Sequence, residues 1–136
     1  MSVFNAIYDH LSSITAITDI VDDRIFNGVK LDETLSHIGI DVEEDDEPYV
    51  SKPDDDIVPG RYSVSIDIVA STSGERDALS ELVTDNIRRV KWDYLNYHII
   101  GSKELRSANT SFSVSGNVDD MRYIASKEYD LLVEIE

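Results

Sequence analysis

Cysteine is absent from the 136 residues, so neither a disulfide framework nor thiolate chemistry is open to this chain. Basic residues are scarce: 12 Lys and Arg stand against 28 Asp and Glu, for a net charge of -16. Proteins that grip phosphates take their affinity from clustered Lys and Arg, so that balance excludes a cationic nucleic-acid surface. The basic residues also lie scattered along the chain, the densest group being Arg88, Arg89 and Lys91. No apolar run is long enough to cross a bilayer, and "MSVFNAIYDHL" lacks the basic start and apolar block of a secretory signal. The expectation is a soluble intracellular protein. Glycine-rich phosphate loops, G-x-S-x-G, H-E-x-x-H and C-x-x-C motifs are all missing, so no catalytic residue, cofactor or dedicated metal site is expected. The three histidines, His10, His37 and His98, are far apart in sequence and read as polar surface or boundary residues.

What the chain does have is apolar periodicity. Apolar residues make up 41%, enough for one ordinary core in a single domain over residues 1–136. Val3, Ile7, Leu11 and Ile14 recur at helical spacing, with Phe4 and Tyr8 widening the stripe and Ser2 as N-cap. A short helical turn is expected around "TDIVDD", then a short strand "RIFNG" closed by Asn27-Gly28. Residues 29–36 carry no clear period. From His37 the pattern alternates, with Ile38, Ile40 and Val42 opposed to Gly39, Asp41 and Glu43. "RYSVSIDIVAS" alternates again through Val64, Ile66 and Ile68. "TSGERDALSELVTDNIRRV" is the main helix, with Thr72 and Glu75 at capping-box spacing and Leu79, Leu82, Val83, Ile87 and Val90 on one face. Trp92 and Tyr94 follow, covering the core edge. "NYHIIGSKELRSANTSFSV" reads as one or two strands, "SGNVDD" as a turn, and "RYIASKEYDLLVEIE" as a long final strand. The predicted fold is α+β: a mostly antiparallel sheet with two main helices packed on one face and an acidic hairpin arm or loop.

That arm is the most unusual stretch. "DVEEDDEPYVSKPDDD", residues 41–56, holds nine carboxylates and one lysine. An EF-hand loop counted from Asp41 would need glycine sixth and glutamate twelfth, but Asp46 and Lys52 stand there. A solvated loop kept extended by like charge is one reading; a functional electrostatic role is the other. Residues 44–59 join two strands, and Pro48, Tyr49, Val50, Ile57 and Val58 give the segment apolar anchor points, which favours an arm that contacts something.

The amino-terminal "VFNAIYDHLSSITAITDIVDDRIFNGV", the strand leading into "GERDALSELVTDNIRRV", and the closing "YDLLVEIE" together resemble phage tail completion proteins, also called tail terminator or tail-to-head joining proteins. One departure is "EPYV" at residues 47–50, which relatives reach soon after the first strand and which here lies inside the acidic stretch. The resemblance implies a small α+β virion subunit that forms a ring, typically a hexamer, on the end of a viral tail. Such a ring meets the tail tube protein on one side and the head-tail connector on the other, and DNA passes through it without tight binding. No enzyme activity, cofactor or membrane contact is implied. A DNA channel lined by carboxylates repels phosphates and stays slippery, and ring assembly by so acidic a chain should respond to salt or divalent cations. On this reading the contact residues, facing the lumen or a neighbouring subunit, are Asp41, Glu43, Glu44, Asp45, Asp46, Glu47, Tyr49, Asp54, Asp55 and Asp56. Arg88, Arg89 and Lys91 either pair with a neighbour's acidic loop or simply complement a helix end. Two alternatives stay open: another small virion subunit, such as a head completion or tail tube protein, and an acidic DNA mimic.

Overall fold

The computed structural model describes residues 2–30, 33, 35–44, 58–113, 116 and 121–135. The elements in chain order are α1 (Val3–Ser12), α2 (Thr15–Val21), β1 (Ile25–Asn27), β2 (His37–Glu44), β3 (Val58–Ala70), α3 (Ser73–Ile87), β4 (Trp92–Tyr94), β5 (Tyr97–Ser113) and β6 (Met121–Ile135). The fold is α+β, as the alternating and helical periods require. Two elements go beyond the sequence reading: the "TDIVDD" turn belongs to a seven-residue helix, and Trp92–Tyr94 forms a strand of its own.

Six strands form one sheet in the order β1-β2-β3-β6-β5-β4, antiparallel throughout except for β1 beside β2. All three helices pack on one face. There Ala6, Ile7 and Leu11 of α1, Ile17 and Val21 of α2, and Leu79, Val83 and Ile87 of α3 close over the inward residues Ile38, Ile40, Val64, Ile66, Ile68, Ala125, Tyr129, Leu131 and Val133. Each such aliphatic side chain, wholly removed from water, contributes about 1.5–3 kcal/mol. Leu82, expected on the same stripe of α3, packs only partly against this core.

Local chemistry fixes where the helices begin. The Ser2 hydroxyl accepts from Asn5 N at 3.2 Å, and the Thr72 hydroxyl from Glu75 N at 3.2 Å, satisfying first-turn amides. The predicted capping box at α3 is only half formed. The Glu75 carboxylate accepts instead from the hydroxyl of Ser36, just before β2, and so ties the helix to the sheet. Arg24 makes a second tie, donating to the carbonyls of Ser36 at 2.9 Å and Ile20 at 3.1 Å.

One histidine departs from the expectation, while His10 and His98 are half-buried boundary residues. His37 is fully buried, its Nδ1–H donating to the Leu35 carbonyl at 3.0 Å and its ring 5.6 Å from that of Phe26. On the face away from the helices Phe26 of β1 packs beside it, and the chain leaving β1 at Gly28–Val29 lies against the neighbouring Gly39. His10 stacks on Trp92 at 4.2 Å and donates from Nε2 to the Asn86 carbonyl at 2.7 Å, while Trp92 Nε1–H reaches the Ala6 carbonyl at 3.3 Å. That cluster seals α1, α3 and β4 together. His98 pairs with Asp93 at 2.7 Å.

Tyr129 is the largest wholly buried side chain. Burial pushes its phenol up to about 12; Thr84 is the next influence and lowers it, Glu104 adds to the rise, and Arg88 opposes it. The Thr84 hydroxyl does not reach hydrogen-bonding geometry, since the phenol oxygen has no such partner among the described residues. A group whose folded pKa lies above its unfolded value of about 10 adds stability that is fully present below pH 10. That contribution is lost as the pH rises toward 12. An ultraviolet titration should therefore show one of the seven tyrosines failing to ionise until about pH 12 or until the protein unfolds. Complete ionisation by pH 11 with the fold intact would contradict the burial.

Candidate assembly surface

The face of the sheet away from the helices carries the charge. Side chains alternate along a strand, so the partners of the buried residues point outward. They are Asp41 and Glu43 on β2, Arg61, Ser63, Ser65 and Asp67 on β3, Glu128, Asp130 and Glu134 on β6, and Lys103 and Arg106 on β5. The strand register lines them up in rungs. One rung reads Asp41, Ser65, Glu128, Arg106; the next reads Glu43, Ser63, Asp130, Lys103. Both run acid, serine, acid, base from β2 to β5.

Some of this charge is matched within the sheet. Arg61 holds Asp130 through two bonds at 2.5 and 3.3 Å, and the Ser126 hydroxyl donates to Asp67 at 2.6 Å. Arg106 stands 3.8 Å from Glu128 with its own side chain 80% exposed, a contact worth little on a solvated surface. Asp41 and Glu43 are exposed. They line a trough of about 560 Å³ that crosses four strands, with Ser63, Ser65, Glu128 and Leu105 as other walls.

Of the residues expected to make contacts, Asp41 and Glu43 thus lie exposed on this face, and Glu44 closes β2 opposite Tyr62. Asp45, Asp46, Glu47, Tyr49, Asp54, Asp55 and Asp56, with most of the acidic segment, lie outside the described residues. Arg88, Arg89 and Lys91 follow the end of α3 and are not scattered from other cations, as the linear order suggested. Arg89 N donates to the Ser102 hydroxyl at 2.8 Å, which in turn donates to the Ile87 carbonyl. This docks the helix end on β5, so that Arg88, Arg89, Lys103 and Glu104 share one cleft of about 250 Å³. Lys103 and Arg106 were missed by sequence reasoning. They are far from the arginines in the chain, and only the docking of α3 on β5 brings them to one sheet edge.

The described residues hold no group of three or more His, Asp or Glu placed to bind a metal ion. Among them no helix is long and apolar enough to cross a membrane.

No protein-family model matches the sequence, and a search of curated proteins finds no match. Among solved structures, the fold is similar to a chain in the virion of a native gene transfer agent particle. The two share a TM-score of 0.64 at 18% identity, over 98% of this chain and 95% of that one.

Proposed function

We propose that this chain is a virion structural protein: the subunit of a ring that caps a tail tube, joins it to the head connector and lets DNA pass through its centre. The observation that carries the reading is the fold likeness, end to end on both chains, to a component of a gene transfer agent virion. The electrostatics agree with it. A chain of net charge -16 with a bare, carboxylate-rich sheet face offers DNA a wall that repels phosphates. The reading needs neither catalysis nor a cofactor. Asp41 and Glu43 face the lumen or a neighbour in this proposal.

Native mass spectrometry of the purified protein, with negative-stain images of the same sample, tests it, with and without millimolar magnesium to screen the repulsion between copies. A closed ring with an open centre is expected. Long stacks would replace the terminator reading with that of a tube protein. A strict monomer that also fails to cap purified tail tubes would remove the ring altogether.

A further inference from the structure

The two long edges of the sheet are open over the same rungs and carry opposite charge. On the β5 side, β4 covers only Tyr97–Ile99, so from Gly101 onward the outer edge of β5 has no ladder partner among the described residues. Leu105–Ser111 are all exposed. Proteins seldom leave so long an edge bare unless something pairs with it. On the other side, β1 covers only Ile38–Ile40 of β2, leaving Asp41–Glu44 open among the described residues. The register places these open residues on the rungs of Ser102–Arg106, because Val42 and Glu44 lie across from Tyr129 and Leu131 and these from Glu104 and Ser102.

We infer that copies of this chain join head to tail through these edges, β5 of one copy meeting Asp41–Glu44 of β2 in the next. The inference rests on the ring reading and names its interface. Strand direction allows it: β2, β3, β6 and β5 alternate, so β5 runs antiparallel to β2. Repeating the sheet in one orientation therefore brings the two edges together as an antiparallel pair. Charge favours it, since each rung ends in a base at β5 and starts with an acid at β2. Arg106 meets the neighbour's Asp41 and Lys103 meets its Glu43. Arg88 and Arg89, fixed beside Lys103, add to the basic side. The window is short because the neighbour's β1 occupies the same column beyond Ile40. A contact between two different edges does not close on itself after two copies; it builds a ring or a filament.

The test exchanges the charges. Lys103→Glu with Arg106→Glu makes both edges acidic, and Asp41→Lys with Glu43→Lys makes both basic. All four positions are exposed, and circular dichroism confirms each fold. Each variant alone should assemble at least about tenfold more weakly than the native chain, while an equimolar mixture should recover assembly with the two alternating. The absence of cysteine permits a second measurement. Asp41→Cys with Arg106→Cys places two thiols three strand spacings apart in one chain, about 14 Å, too far to bridge internally. Oxidation should give a ladder of covalent oligomers. Disulfide dimers from Arg106→Cys alone would instead show β5 pairing with β5 and overturn the inference. If the native chain forms a closed ring that neither charge reversal nor cross-linking touches, the interface is wrong and the ring stands. If the native chain neither forms a ring nor caps tubes, the ring reading itself fails.

Discussion

Gly39→Ala is expected to destabilise the protein by about 1–3 kcal/mol and lower its melting temperature by roughly 5–15 °C. Gly39 sits mid-strand in β2, between the buried Ile38 and Ile40, where a β-branched residue would ordinarily be favoured. A Cβ there would lie 2.8 Å from the Gly28 carbonyl carbon, the Gly28 oxygen and Val29 N. All three are backbone atoms, so no side-chain rotation relieves the overlap. The chain leaving β1 crosses the outer face of β2 at this point, anchored by the Gly28 N–H donating to the Ile40 carbonyl at 3.0 Å. Alanine must lift that crossing and weaken its anchor. Gly74→Ala is the control. Gly74 opens α3 with nothing within 4 Å of its added carbon, so helix propensity should make that variant slightly more stable. Thermal melts of the two by circular dichroism decide the matter. A Gly39→Ala variant melting within a degree of the native protein would show that the crossing has room to move.

The second large effect is expected at Glu104. Its carboxylate lies 3.3 Å from the ammonium of Lys127, whose side chain is only 7% exposed, while that of Glu104 is 17% exposed. Lys127 also donates to the Ser107 hydroxyl at 3.2 Å, and Arg88 stands 3.8 Å from the other Glu104 oxygen. Glu104→Ala leaves the ammonium buried with one neutral acceptor, an arrangement that costs about 3 kcal/mol. The pair itself adds little over an apolar substitute, because both charges lose hydration to form it. Glu104→Leu with Lys127→Met should therefore recover most of the loss. Urea unfolding of the single and double variants separates the cases. Equal loss in both would mean that packing, not the stranded charge, sets the cost.

Much of the architecture was legible from alternation alone. Ile38, Ile40, Val64, Ile66, Ile68, Tyr129, Leu131 and Val133 announce their faces by period two, and Leu79, Val83 and Ile87 by the helical period. The faces follow because a one-residue slip would turn every one of them outward. Residues 29–36 were opaque for a corresponding reason. They have no repeating period, and the described ones are placed by residues distant in the chain: Val29 lies against Gly39, and Ser36 is held by Arg24 and Glu75. Burial of His37 is not visible in the alternation of β2, since its ring is met by Phe26 of a different strand. The candidate surface was half legible. Asp41 and Glu43 stood out within the acidic run, but Lys103 and Arg106 looked like ordinary strand charges.

The α+β class, the buried faces, the helix caps at Ser2 and Thr72, and an acidic balance hostile to phosphate binding follow from the order of residues. These are local properties, set by period, by side-chain oxygens next to free amides, and by net charge. Which strands are neighbours, and with that which charges share a rung, is settled by long-range packing. Strand order depends on contacts between residues distant in the chain, such as β3 with β6, and no local preference encodes it. The opposed charge of the two open sheet edges arises from that order alone.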